Sequence, residues 1–414
     1  MVRRFRRLTA GLARAVLAGL CLARFAPSLA TTPDLVYYGG PVVSHARIVP
    51  VNWNSNVDTT LQAGLPQFYS DLTQSHYWDL LAQYSTAGLT PPDALPGSGQ
   101  LIARGSVNVA VTIDPVVCPA TVAGSCLLAE SEIDTELNLQ IDQGFLPAPV
   151  IDATGNVDTV YMINFPANVQ VQLAGTPAPR SCVDFCSANT TLVRNALNVA
   201  LGIVMDYSTG SGCDLGCGSA PSALKLATLN AGNALANAVT DPQLDLADNV
   251  ARPLAWIDSS TGQVAEFCGL TETTLTSTDG LRTWTIGEIW SSHDQLCTAS
   301  QQPWFSITPS PTSAIVNQAG SVPVTMATAT LGPAQPITLI VNDLPAGLTA
   351  AFDPPTVTGG QSSTLTISAE ETATPATITV DVGGKQTAGG FEDYVVASLT
   401  LTVRADTLFK NGFD

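Results

Sequence analysis

The chain has 414 residues, with 16 Lys and Arg against 34 Asp and Glu, a formal charge of −18 at neutral pH. Phosphate recognition needs clustered basic side chains, so no nucleic acid is expected as a partner. The acids are scattered rather than blocked and read as a solubilising surface.

Residues 1–30, MVRRFRRLTAGLARAVLAGLCLARFAPSLA, combine a basic start, an apolar stretch around Ala15 to Ala23 and a Ser28-x-Ala30 pattern. Together these predict a secretory signal peptide. Removing it takes away six basic residues and no acid, so the formal charge falls to −24. Cys21 follows Leu20, a poor context for lipidation, and no lipid anchor is expected. No later stretch approaches the roughly 18 to 20 apolar residues of a membrane helix, so no transmembrane segment is expected. The predicted location is secreted, periplasmic or at the cell surface.

Residues 31–298 mix two periodicities, which predicts an α/β or α+β domain with helices on a central sheet. IVPVNWN at 48, SVNVAVTI at 106 and TVYMINF at 159 read as strands. Helices are predicted over 59–84, where Leu61, Leu65, Phe68, Leu72, Leu80 and Leu81 approach helical spacing, and over 131–147, where Ile133, Leu137 and Ile141 form a stripe. Gly144 and Pro147 close the second of these. A further helix runs from Ala223 to Val239 and is stopped by Thr240, Asp241 and Pro242. It holds NAGNALANAVTDP (230–242), a run of small residues without His or Glu.

Cys118, Cys126, Cys182, Cys186, Cys213, Cys217, Cys268 and Cys297 remain once the first thirty residues are set aside. An even count in an exported chain predicts four disulfides, with connectivity left open by the spacing. The two C-x3-C pairs could also hold zinc, a choice disfavoured in an oxidising compartment.

All eight of those cysteines precede residue 300, and SQQPWFSITPSPTS (300–313) follows. A linker is therefore expected over 299–313. Short alternating runs such as SVPVTMAT at 321, PITLIVND at 336, SSTLTISA at 362, ATITVDV at 376 and YVVASLTLTV at 394 predict an all-β sandwich over 314–405, with an edge strand starting near 302. The phrase NDLPAGLTAAFDPPTVTGGQSSTLTIS resembles cysteine-free immunoglobulin-like domains appended to bacterial secreted peptidases and surface proteins. That resemblance implies a fold and not an activity. The tail, 406–414, ends in TLFKNGFD, which resembles a short terminal tag of exported proteobacterial proteins.

Within 35–298, YYGGPVVSHARIVPVNWN, FYSDLTQSHYWDLLAQYST, LPAPVIDATGNVDTVYMINFP, SCVDFCSANTT, GSGCDLGCG, AVTDP, LAWIDSSTGQVAEFC and Cys297 occur in an order that resembles secreted bacterial proteins similar to the plant EXORDIUM and phosphate-induced proteins. Better-preserved members carry a helical HELxEAxTDP segment and a later GEIGDxC segment, a pattern like a zincin-type metallopeptidase site. In such a site a His ligates the metal, the next Glu serves as general base toward metal-bound water, and a residue one turn on faces the same side. Carried over residue by residue, the His falls on Asn233, the Glu on Ala234 and the later Glu on Asn237. The Glu of the later segment falls on Gln263, and a His after the C-x3-C pair falls on Asn189.

Every one of these substitutions leaves a neutral group. Amide oxygens ligate zinc weakly, and Ala234 moves no proton. No catalytic residue, metal or cofactor is therefore expected at these positions. His45, His76 and His293 read as surface or partly buried hydrogen-bonding residues. A Ser/His/Asp arrangement around His293 and Asp294, and a carboxylate pair drawn from Asp241, Asp245, Asp248, Asp258 or Glu266, are the catalytic alternatives. The expected function is binding of an extracellular protein or glycan through the old cleft by a non-catalytic relative. A secreted peptidase with a non-standard site and a structural adhesion protein are the competing readings.

Overall fold

The computed structural model describes residues 35–246, 251–300 and 302–405. The expected signal peptide, Cys21, Asp248 and the tail lie outside the described residues.

The Arg47–Asn52 strand is the axis of a six-stranded sheet. Ser106–Val107 and Val111–Thr112 pair along one of its edges, and Thr159–Asn164, Leu197–Val204 and Ser187–Arg194 follow in that order on the other. Every pairing is parallel except the last, in which Ser187–Arg194 returns antiparallel. Ile48, Val49 and Val51 and the run Val160–Ile163 are buried without alternation, the pattern of parallel strands covered on both faces. SVNVAVTI forms two two-residue pairings instead of one strand. Val109, between them, is 89% exposed, so the middle of the segment leaves the edge of the sheet.

Helix α1, Thr59–Thr73, starts where the Asp58 carboxylate accepts from the Thr60 and Leu61 amides, and it buries Leu61, Leu65, Phe68 and Leu72. The continuous helix expected to residue 84 breaks at Gln74. Ser75 caps a new start by accepting from the Trp78 amide, giving α2, His76–Leu80, and then a 3-10 turn over Leu81–Tyr84. Helix α3, Glu130–Asp142, carries the expected Ile133, Leu137, Ile141 stripe inward. Helix α4, Ala223–Thr240, lies against the Ser187–Arg194 and Leu197–Val204 strands, α1 and a hairpin of Glu272–Thr276 with Thr283–Gly287. Every residue from Leu226 to Thr240 is buried, as expected of a helix enclosed on all sides. Its small residues answer that crowding: a Cβ at Gly287 of the hairpin would collide with the Asn233 amide.

All eight cysteines are paired, as Cys118–Cys126, Cys182–Cys213, Cys186–Cys217 and Cys268–Cys297. The two C-x3-C loops are thus clamped to each other in parallel, and their sulfurs are not available as thiolate ligands for zinc. The clamp ties the chain before the Ser187–Arg194 strand to the chain before α4. Among the described residues no helix is long and apolar enough to cross a membrane.

From Phe305 to Arg404 every regular element is a strand. One sheet runs Phe305–Ser310, Ser321–Thr330, Ser362–Ala369, Leu348–Asp353, antiparallel throughout. The other runs Ser313–Asn317, Phe391–Arg404, Ala376–Ala388, Pro336–Val341, Thr356–Thr358, with its first pair parallel. These orders match the A-B-E-D and G-F-C sheets of an immunoglobulin-like sandwich. Phe305, Val324, Met326, Leu365 and Ile367 meet Val380, Val382, Leu399 and Leu401 in one core. The Phe305–Ser310 strand falls inside the span expected to be linker.

The buried apolar side chains form one large cluster between Leu35 and Trp290 and a second between Phe305 and Val403. A small third cluster of Ala87, Leu101 and Tyr394 joins them. There the Tyr394 hydroxyl donates to the Ala87 carbonyl at 2.8 Å, and a Cβ at Gly383 would strike Leu101.

Candidate functional site

The positions carried over from the metallopeptidase-like pattern gather around the C-terminal end of α4. Asn189, on the Ser187–Arg194 strand, and Gln263 each donate from their amide nitrogen to the backbone carbonyl of Asp241, both at 3.2 Å. One carbonyl has two lone pairs, so both bonds are satisfied together. The Asp241 carboxylate accepts from the Ala255 amide at 2.9 Å. Asn237 accepts from Asp241 N at 2.8 Å through its carbonyl and from Ala265 N at 2.9 Å through its side chain. Thr191 closes the same end by donating to the Pro242 carbonyl at 2.9 Å. A helix leaves its last carbonyls without intrahelical partners, and these side chains help supply them.

Asn233 lies one turn earlier, wedged under Gly287, and Ala234 faces Gly202 of the Leu197–Val204 strand. Asn233, Ala234, Asn237, Gln263 and Asn189 are all less than a tenth exposed, at 8%, 2%, 7%, 1% and 6%. Two buried amide oxygens here, Asn233 Oδ1 and Gln263 Oε1, have no hydrogen-bond partner among the described residues. Among the described residues the set therefore carries no charge and no imidazole, and little of it is exposed. A cleft of the kind expected from the sequence is filled by packing at these positions.

The catalytic alternatives take other forms. His293 Nδ1 lies 2.8 Å from Asp294 Oδ1, and Ser291 Oγ donates to Asp294 Oδ2 at 3.0 Å. The aspartate sits between serine and histidine, whereas a nucleophilic triad needs the imidazole in the middle. The His293 ring also packs edge-on to Trp304 at 4.2 Å. Asp258 holds its own turn by accepting from Ser260 and Thr261, bonds that depress its pKa. Glu266 accepts from the Gln263 amide, and burial raises its pKa. His76 is exposed and beside Asp79 at 3.3 Å.

The residues that sequence reasoning missed line a cavity of about 450 Å³. His76, Trp78, Asp79 and Arg104 form one wall, and Tyr394 and Val396 of the sandwich form part of the other. Arg104 and Asp79 pair through two bonds at 2.9 and 3.0 Å. The volume falls in the range of small-ligand sites. Its walls come from segments some 300 residues apart, which no local pattern joins.

No family model and no curated protein matches the chain. Solved structures that resemble part of it include the BIgI domain of beta protein from S. agalactiae bound to CEACAM1, 17% identical over 25% of this chain and 98% of that one, TM-score 0.19. Domains 4 and 5 of the S-layer protein SbsC are 11% identical over 37% and 89%, TM-score 0.19. WR4, a C. elegans MSP family member, is 9% identical over 24% and 97%, TM-score 0.18. At these scores the likenesses add nothing to what the strand orders establish. The four disulfides fit an extracellular or periplasmic protein.

Proposed function

We propose that the chain is a secreted, disulfide-stabilised, non-catalytic relative of the EXORDIUM-like and metallopeptidase-like proteins, and that it binds an extracellular protein or glycan. Its organisation on this reading is an N-terminal domain over 31–298 with helices on a central sheet, then, within the 299–313 segment, an edge strand starting near 302 that belongs to the immunoglobulin-like module over 314–405. The observation that carries the reading is the use made of the amides: Asn189, Asn237 and Gln263 hold the end of α4 instead of facing a substrate. Burial of all five positions moves the binding surface away from α4. The cavity walled by Trp78, Arg104, Tyr394 and Val396 takes its place, sized for one sugar ring or one large side chain.

The test pairs turnover with binding. A mixed peptide substrate library and a panel of polysaccharides are incubated with the full chain, with and without added zinc, and products are read by mass spectrometry. The reading expects no products, saturable binding to a member of the panel or to a protein of the culture medium, and loss of that binding in Val396→Trp, which fills the cavity. Product release, or binding untouched by Val396→Trp and Arg104→Glu, contradicts it. The structural adhesion reading draws on the sandwich, and deletion of residues 300–414 separates it: surface retention lost while the N-terminal domain stays folded and unchanged favours adhesion.

A further inference from the structure

His45 stands just before the Arg47–Asn52 strand, on the side of the sheet that meets the sandwich. Its Nε2 bonds to Asp381 of the Ala376–Ala388 strand, and Asp381 in turn accepts from Ser398. That bond assigns a proton to Nε2, and Nδ1 points the other way. In that direction lie Asp158 Oδ2 at 3.8 Å and Asp343 Oδ2 at 3.7 Å. Either a second ring proton or a metal ion must lie between Nδ1 and these oxygens, and a lone imidazolium would still set one positive charge against three carboxylates. One atom from each of the three residues falls within 4.8 Å of the other two. A cavity of about 10 Å³ beside them is lined by His45, Asp152, Asp343 and Asp381 with Gln100 and Asn342, room for a single water-sized species.

The charge balance agrees. Among the described residues no Lys or Arg forms an ion pair with Asp152, Asp158, Asp343 or Asp381. Asp158 is 4% exposed. Buried carboxylates in excess of their countercharge are costly, and a bound divalent ion removes that cost.

We propose that His45 Nδ1, Asp158 and Asp343 bind a first-row divalent cation, zinc foremost, that ties the central sheet to the sandwich. Ligand atoms held at about 2.0–2.2 Å from zinc stand roughly 3–3.6 Å apart, so the observed spacing closes onto an ion with small movements. Asp381 is the positioning residue: a carboxylate on the far nitrogen of a metal-bound histidine orients the ring and raises its basicity. An imidazole with carboxylates selects zinc or manganese over calcium, which prefers oxygen alone. The site shares no residue with the α4 amides and stands independently of the proposed binding function.

The experiment uses the full chain with its disulfides formed, stripped by chelator and dialysed at pH 7.5. Calorimetric titration with zinc chloride is expected to give one site per chain, and saturation to raise the thermal midpoint by about 2–4 °C. His45→Gln and Asp343→Asn are each expected to weaken zinc at least tenfold, and Asp381→Asn to weaken it about 10- to 100-fold as an outer-shell change. Cobalt added in place of zinc reports the ligand field by visible absorption, and this signal is expected to vanish in His45→Gln. Near-ultraviolet circular dichroism identifies any variant that has not folded, and the cobalt spectrum of the unaltered chain then carries the test. No heat and no cobalt spectrum, affinity unchanged in folded His45→Gln and Asp343→Asn, or a response to calcium chloride alone overturns the proposal.

Discussion

At the end of α4, neutral amides meet backbone groups: Asn189 and Gln263 share the Asp241 carbonyl, and Asn237 takes the Ala265 amide. Around His45, three carboxylates share a single imidazole. Both groups are buried polar clusters, yet the first is built from neutral amides paired with backbone groups, leaving over the Asn233 and Gln263 oxygens among the described residues, while the second leaves negative charge over. A cluster whose charge is balanced specifies a fold, and one whose charge is not invites a ligand. The chain thus has a position where resemblance implies metal chemistry and the atoms do structural bonding, and another where no motif announces a metal and the atoms are disposed to hold one.

The comparison can be pressed first through the clamp that delivers α4 to its place. Replacing Cys186 and Cys217 together by Ser is expected to cost about 2–5 kcal/mol, read as a lower denaturation midpoint. An unchanged midpoint would mean that packing alone positions α4. Gly287→Ala drives a methyl into the Asn233 amide and is expected to cost about 1–3 kcal/mol. Asn233→Ala in the same chain should restore most of that loss, because it clears the space and removes an oxygen without a partner. Gln263→Leu, which leaves the Asp241 carbonyl with one donor fewer, is expected to cost about 1–2 kcal/mol. A neutral Gln263→Leu would weaken the account of the amides as helix-end partners.

The smallest expected effect is a pH dependence away from both clusters. Asp71 of α1 is drawn up by burial, but Arg282 outweighs this by a paired contact at 2.7 and 3.0 Å, helped by the Trp284 N–H at 2.8 Å, and its pKa is lowered overall. A carboxylate with a folded pKa below its unfolded value of 3.8 contributes stability that is present above that value. The contribution is lost as pH falls through the depressed folded pKa. Thermal midpoints between pH 5 and 2.5 should therefore drop more steeply for the unaltered chain than for Asp71→Asn. Parallel curves would show that the Arg282 contact contributes nothing.

Much of α4 could be read from its residues, because the small apolar run and Asp241-Pro242 act locally: the helix expected over 223–239 spans Ala223–Thr240. The break at Gln74 was hidden, since apolar spacing continues across it and only the Ser75 cap marks the new start. The sandwich followed from period-two alternation, while the place of Phe305–Ser310 depended on pairing with Ser321–Thr330, which a proline-rich span conceals. The His45 cluster was out of reach for a different reason. Its members sit at 45, 158, 343 and 381, and only the fold brings them together. No local sign existed either: Asp381 falls on the polar face of the alternating ATITVDV, in step with Thr377 and Thr379, and only the fold buries it.

The central claim is that the amides of α4 hold structure and not metal. The direct measurement is the zinc content, by elemental mass spectrometry, of chain exported with its disulfides formed and never exposed to chelator, compared with the Asn233→Ala, Asn237→Ala double variant. The account predicts the same zinc content per folded chain in both. Zinc present in the unaltered chain and lost from the folded double variant would contradict it and return α4 to the list of catalytic candidates.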